Sequence, residues 1–122
     1  MFELDMTQPD LMANLIRRDL GRTGSAWSEA KRECEAAEAE AKLVEAAFAM
    51  GVRGKKIVIP GKEKPTDAAI KSAALEDKAV SAAVENAREA RYVENLRKVA
   101  YDMAVKTAEM FKGLCYLHSK VD

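Results

Sequence analysis

Between Thr66 and about His118 the chain contains no proline and a single glycine, Gly113, so nothing in the sequence stops one long helix. Ile70, Ala73, Val80, Ala83, Ala87 and Ala90 form an apolar seam in its first half. Val93, Leu96, Ala100, Met103, Thr107, Met110, Leu114 and Leu117 carry it on in steps of three and four. The consecutive steps of three from Ala90 to Val93 to Leu96 break the heptad, as a local overwinding or kink does. A second stripe, Tyr101, Ala104, Ala108, Phe111 and Cys115, lies on an adjoining face. A helix apolar on two faces needs more than one partner.

The rest of the chain is short of cover for it. A helix is expected over residues 25–50, capped by Ser25 and stopped at Gly51 in the left-handed conformation. Trp27, Ala30, Cys34, Ala37, Ala41, Val44 and Phe48 follow one another there in alternating steps of three and four. This is a heptad seam whose small central residues let a partner helix approach closely. Before it, residues 1–24 hold a short amphipathic helix to about Leu20. Thr7, Pro9 and Asp10 suit its start, Leu11, Leu15 and Ile16 share a face, and Gly21-Arg22-Thr23-Gly24 breaks it. The helix over 66–118, capped by Thr66 with Asp67 in its first turn, is about twice the length of the second. Its excess apolar surface must be covered by folding back of the first helix or, as we expect, by other subunits. In 122 residues with three Phe, three Tyr and one Trp, much of the apolar content is alanine. The expected fold is therefore all-α: one helical domain, an antiparallel helical hairpin or coiled coil with a short N-terminal helix and one long C-terminal helix, assembling as a homo-oligomer.

Charge is segregated. The 20 basic and 20 acidic side chains cancel, so no global attraction to nucleic acid or membrane follows. Residues 25–50 set six glutamates against Lys31, Arg32 and Lys42, a net −3. Residues 51–65, punctuated by Gly51, Gly54, Pro60, Gly61 and Pro65, set Arg53, Lys55, Lys56, Lys62 and Lys64 against Glu63, a net +4. Five cations on a glycine-bearing basic loop or hairpin can follow a phosphate backbone without reading bases. Ile57-Val58-Ile59 within it is a short β-type run that could form an edge strand. A second cationic group, Arg88, Arg91, Arg97 and Lys98, is interleaved with Glu85, Glu89 and Glu94 at helical pairing distance. Arg88 and Arg91 are the candidates there for nucleic-acid contact. Trp27 and Tyr92 could stack on bases, although packing on its seam suits Trp27 better.

Catalytic patterns are missing. His118 is the only histidine, and Cys34 and Cys115 stand alone without metal-ligand spacing. Gly51-Val52-Arg53-Gly54-Lys55-Lys56 lacks the Ser or Thr of a phosphate-binding loop. Cys115 and His118, three apart, would lack an orienting group and a pocket as a catalytic pair. We expect no enzyme, no cofactor and no metal. Neither a signal-type start nor a long apolar run is present, so a cytoplasmic protein with reduced cysteines and no membrane contact is expected.

The layout resembles the UvsY-like phage recombination mediators. The shared features are the short N-terminal helix, the helix rich in Glu, Ala and Lys, and the basic loop. Pro65-Thr66-Asp67-Ala68-Ala69-Ile70-Lys71 then opens the long helix, Asp77-Lys78 follows, and the apolar stripe ends in Met110, Phe111 and Leu114. The resemblance spans nearly the whole chain. It implies self-assembly through the C-terminal helix, weak binding of single-stranded DNA, and assistance to a RecA-type recombinase in displacing single-strand-binding protein, in the host cell cytoplasm. Zero net charge departs from a strong DNA binder and favours modest affinity multiplied by several subunits.

The expected function is thus a recombination accessory that binds single-stranded DNA and partner proteins. Arg53, Lys55, Lys56, Lys62 and Lys64 would neutralise phosphates, joined by Arg88 and Arg91. Tyr101, Met103, Met110, Phe111, Leu114 and Leu117 would hold subunits together. The alternative is a helical adaptor or inhibitor that binds protein alone through its acidic helix. A structural component of a phage particle would share the same fold.

Overall fold

The computed structural model describes residues 3–61 and 64–121, the last of these by its backbone alone. It is all-helical: α1 spans Pro9–Arg53, α2 Asp67–Glu76 and α3 Lys78–Val121, with no strand among the described residues. The long helix α1 packs on α3, and the chain forms two compact units, Met1–Lys31 with Val93–Asp122, and Arg32–Tyr92.

In the first unit, α1 begins at Pro9, whose missing N–H costs nothing in a first turn, with Asp10 beside the helix dipole's positive end. Just before it, the Thr7 hydroxyl and amide both donate to the Asp5 carboxylate, at 2.6 and 3.0 Å. The hydroxyl contact, first, holds that carboxyl below its ordinary range. Met12 and Ile16 are buried and Leu15 half-buried, whereas Leu11 is exposed. The expected break at Gly21–Gly24 does not occur, and Ser25 lies inside α1 rather than capping a new helix. Each glycine costs a helix about 1 kcal/mol, and α1 continues through this stretch packed on α3, Trp27 against Tyr101 among its contacts. The Thr23 hydroxyl donates to the Asp19 carbonyl at 2.7 Å, and Arg22 pairs with Asp19 at 2.8 Å. Gly24 lies under the Tyr101 ring, with an added Cβ coming within 3.4 Å of it. Trp27 and Tyr101 then meet with ring centroids 5.4 Å apart, tilted by 30°. On α3 the second stripe is the covered one: Ala104 is buried, and Tyr101, Ala108, Phe111 and Cys115 are half-buried.

In the second unit, the seam of small residues behaves as its spacing requires: Cys34, Ala41 and Phe48 are buried and Ala37 and Val44 half-buried. Facing them on α3, Val80 and Ala83 are buried and Ala87 and Ala90 half-buried. Phe48, Val52, Ile70, Ala74 and Val80 form the core cluster, with Val80 fully enclosed. Glu38 meets Arg91 while Phe48 meets Val80, so α1 and α3 run in opposite directions within this unit.

The expected single helix over 66–118 is in fact two. Thr66 caps α2 as anticipated, accepting from the Ala69 amide at 3.2 Å. The interruption is Asp77, whose backbone is extended (φ −71°, ψ 134°). Its carboxylate accepts the amides of Ala79 and Val80, both at 3.1 Å, while its own N–H donates to the Ala74 carbonyl. A short acidic side chain that satisfies the orphan amides of a following helix competes with helix continuation. Ala90, Val93 and Leu96, where the heptad skips, lie in unbroken helix.

Candidate nucleic-acid interface

The basic segment is organised by the end of α1. The helix runs past its expected stop at Gly51 and ends at Arg53. Gly51 is helical, and the left-handed residue is Lys55, at φ +63°. The Lys56 amide donates to the Gly51 carbonyl at 2.9 Å and the Lys55 amide to the Val52 carbonyl at 3.1 Å. This pair of bonds is a Schellman closure, in which glycine is the usual left-handed residue. Here a lysine occupies it, and the glycine serves elsewhere. Ile57 folds over Gly51, where an added Cβ would come within 2.6 Å of the Ile57 Cδ1. Ile59 packs on the core cluster. Within this chain Ile57–Ile59 is not a strand; Ile57 and Ile59 anchor an irregular segment to the α1–α2 corner and Val58 is exposed.

Lys55, Lys56 and Lys64 are exposed, and none of the described carboxylates pairs with them. Arg53 is exposed too but pairs with Asp67 at 3.0 Å, so its charge is partly engaged in tying the end of α1 to the start of α2. Lys62 lies outside the described residues. Between Lys55 and Lys64 opens a hollow of about 480 Å³ floored by Val52, Ile57, Val58, Ile59 and Pro65. Sequence reading identified the cations and missed this floor. The β-type run Ile57-Val58-Ile59 was its only signal.

The second cationic group is differently employed. Arg88 sits 3.9 Å from Glu85 on the same helix. Arg91 reaches across to Glu38 on α1, and the Cys34 thiol donates to the same carboxylate oxygen at 3.3 Å. The Arg91 hydrogen bond, more than that of Cys34, holds the Glu38 carboxyl below its ordinary range. Arg88 and Arg91 therefore border the α1–α3 packing in the second unit and do not join the loop cations in one cluster.

The residues expected to hold subunits together divide into two sets. Tyr101, Phe111 and Leu114 are half-buried within their own chain. Met103, Met110 and Leu117 remain 45%, 62% and 58% exposed. With the exposed Leu96 and Val99, and with Lys106 and Gly113 in the intervening places, they mark steps of three and four along one open face of α3. Among the described residues twelve apolar ones are buried, five of them alanine, while fourteen large ones are exposed.

Neither cysteine forms a disulfide. Among the described residues no group of three or more His, Cys, Asp or Glu side chains comes together, and no helix is long and apolar enough to cross a membrane. No protein family model, curated protein sequence or solved structure matches the chain.

Proposed function

We propose that this protein is a non-enzymatic accessory of DNA recombination that binds single-stranded DNA as a homo-oligomer. The observation that carries the reading is the set of exposed cations, Lys55, Lys56 and Lys64 with Arg53, gathered at the irregular corner between α1 and α2. Cations on an irregular segment suit a flexible phosphate backbone better than a duplex groove. Assembly makes the modest charge sufficient: each added subunit brings another copy of the corner, and linked weak contacts multiply. The open face of α3, with Met103, Met110 and Leu117, is the seam that a second copy covers. The two long helices of each copy pair as an antiparallel coiled coil. As the UvsY-like resemblance implies, the partners are a RecA-type recombinase and single-strand-binding protein, and the place of action is the cytoplasm of a phage-infected host.

The test is a salt-titrated binding assay with a single-stranded oligonucleotide. Replacing Lys55 and Lys56 by Glu lowers affinity and, by removing two phosphate contacts, reduces the slope of log K against log salt by about 1.4. Helicity stays unchanged. An identical isotherm would remove the corner from the site. Sedimentation tests assembly: Met103→Glu with Met110→Glu dissociates the oligomer at unchanged helicity, and a wild-type protein that sediments as one copy at high concentration overturns the assembly.

A second reading, a helical adaptor or inhibitor, is favoured by one observation. An open hollow of about 540 Å³ lies between α1 and α2, lined by Ala46, Ala49, Ile70, Ala74 and Leu75 with Lys42, Glu45 and Lys71 at its margin. Absence of oligonucleotide binding at about 50 mM salt, where phosphate contacts are strongest, selects this reading over the first.

A further inference from the structure

We infer that Asp77 is a hinge through which two copies of this chain exchange α3, each copy's α3 packing on the other's α1. This is a route to assembly distinct from the open face of α3, and it is independent of DNA binding. Between Asp67 and Val121, Asp77 alone lies outside a helix. Even there only half the backbone departs. Its φ of −71° is helical, and one rotation, of ψ from 134° to about −42°, would join α2 to α3. The Ser81 amide already donates to the Asp77 carbonyl at 2.8 Å, as it would in a continuous helix. Joining replaces the two bonds to the Asp77 carboxylate by ladder bonds from the amides of Lys78, Ala79 and Val80.

Two features hold the bend within one chain. Asp77 stands one heptad after Ile70 and one before Val84, so a continuous helix sets its carboxylate on the apolar seam, where an unpaired charge is costly. Ile70, Ala74 and Val80 also share one core cluster with Phe48 and Val52. In a straight helix Ile70 and Val80 would stand about 15 Å apart along the axis and about 80° apart around it. They could not both close on that cluster, so α2 and α3 could not both keep their places on the α1 of one chain. The element that stays is α2, held by the Arg53–Asp67 pair and by the burial of Ile70 and Ala74. The departing α3 bares the seam from Cys34 to Phe48. What fits that seam is another α3 of the same sequence, which returns Val80 to the cluster and Arg91 to Glu38. This identifies the occupant as a second copy, opened in the same way. Closed and exchanged forms then bury the same α1–α3 contacts and differ at the hinge, the condition under which exchange between copies is cheap.

The experiment reads which chain supplies the α3 beside each α1. The full-length protein carries Glu38→Cys and Arg91→Cys at the touching pair, with Cys34→Ala and Cys115→Ser to remove the native thiols. It is refolded at high concentration, joined with a short bismaleimide and run on a denaturing gel. A closed copy links within one chain, and exchanged copies link between two. Two hinge variants are compared with this parent. Asp77→Leu removes the carboxylate and places an apolar side chain on the seam, which favours joining. Lys78→Pro puts proline at the first position of α3, where it forbids joining and holds Asp77 in the extended conformation it already has. The expected result is a between-chain share in the parent that rises severalfold in Asp77→Leu and disappears in Lys78→Pro. Links confined to single chains in both parent and Asp77→Leu overturn the exchange, as does a between-chain share that Lys78→Pro leaves unchanged. If circular dichroism shows Asp77→Leu unfolded, parent against Lys78→Pro decides alone, and a parent linked only within chains overturns the proposal. Adding Met103→Glu with Met110→Glu, which disables the open face, leaves the between-chain share intact. Its loss there would assign the links to face-to-face assembly and overturn the exchange.

Discussion

Replacing Lys55 by glycine should move stability and DNA binding in opposite directions. Lys55 holds a left-handed backbone at the Schellman closure of α1, and its N–H donates to Val52. Glycine preserves that bond and relieves about 1–2 kcal/mol of side-chain strain. It also frees the unfolded chain, which returns about 0.4–1 kcal/mol. The net gain is about 0.5–1 kcal/mol, a rise of roughly 2–4 °C in melting temperature for a chain of this size. Binding goes the other way. Losing one phosphate contact on a single strand lowers the salt slope by about 0.7 and, at 0.1 M salt, the affinity by about fivefold. Thermal melting by circular dichroism and fluorescence anisotropy with a labelled oligonucleotide measure the two quantities on the same preparation. A stabilised variant with unaltered affinity would refute the reasoning, because Lys55 would then be a strained residue with no ligand to justify it. A destabilised variant would refute the strain account itself.

Three further outcomes follow from the packing. Val80 is fully enclosed in the core cluster, so Val80→Ala should cost about 2 kcal/mol in urea denaturation. Asp77→Ala removes the acceptor for two amides and should cost about 1 kcal/mol, whereas Asp77→Asn retains most of the cap. Glu38 has its carboxyl depressed in the folded state by Arg91, so its contribution is present above the unfolded value and lost as pH falls through the folded one. Stability measured from neutral pH down through about pH 4 should therefore show a loss that Glu38→Gln lacks.

How much of this was legible in the sequence depended on whether a signal was local. The small-residue seam from Trp27 to Phe48 is periodic, and it buries as its period requires. The Thr66 cap is likewise readable from three adjacent residues. Gly24 resisted reading because a glycine read locally is a helix breaker, whereas here it continues α1 against the Tyr101 ring, far away in sequence. Asp77 offered only its residue type, since Val80 stands where a capping box places Glu. Of the two stripes on the C-terminal helix, periodicity could show that both exist. Which one α1 covers is decided by the Trp27–Tyr101 contact, and that left Met103, Met110 and Leu117 open. At the candidate site the cations were visible as composition, while the apolar hollow beneath them required the fold of the corner.

Trp27 is the chain's only tryptophan, and its indole nitrogen is buried without a hydrogen-bond partner. Its emission therefore reports from an apolar setting in the first unit alone, with Tyr101 close enough to hand it excitation energy. Far-ultraviolet dichroism, by contrast, sums over every turn of α1, α2 and α3. Superimposable melting curves from these two signals would mean that the halves of the molecule come apart as one cooperative body, and separated curves that they do so in succession.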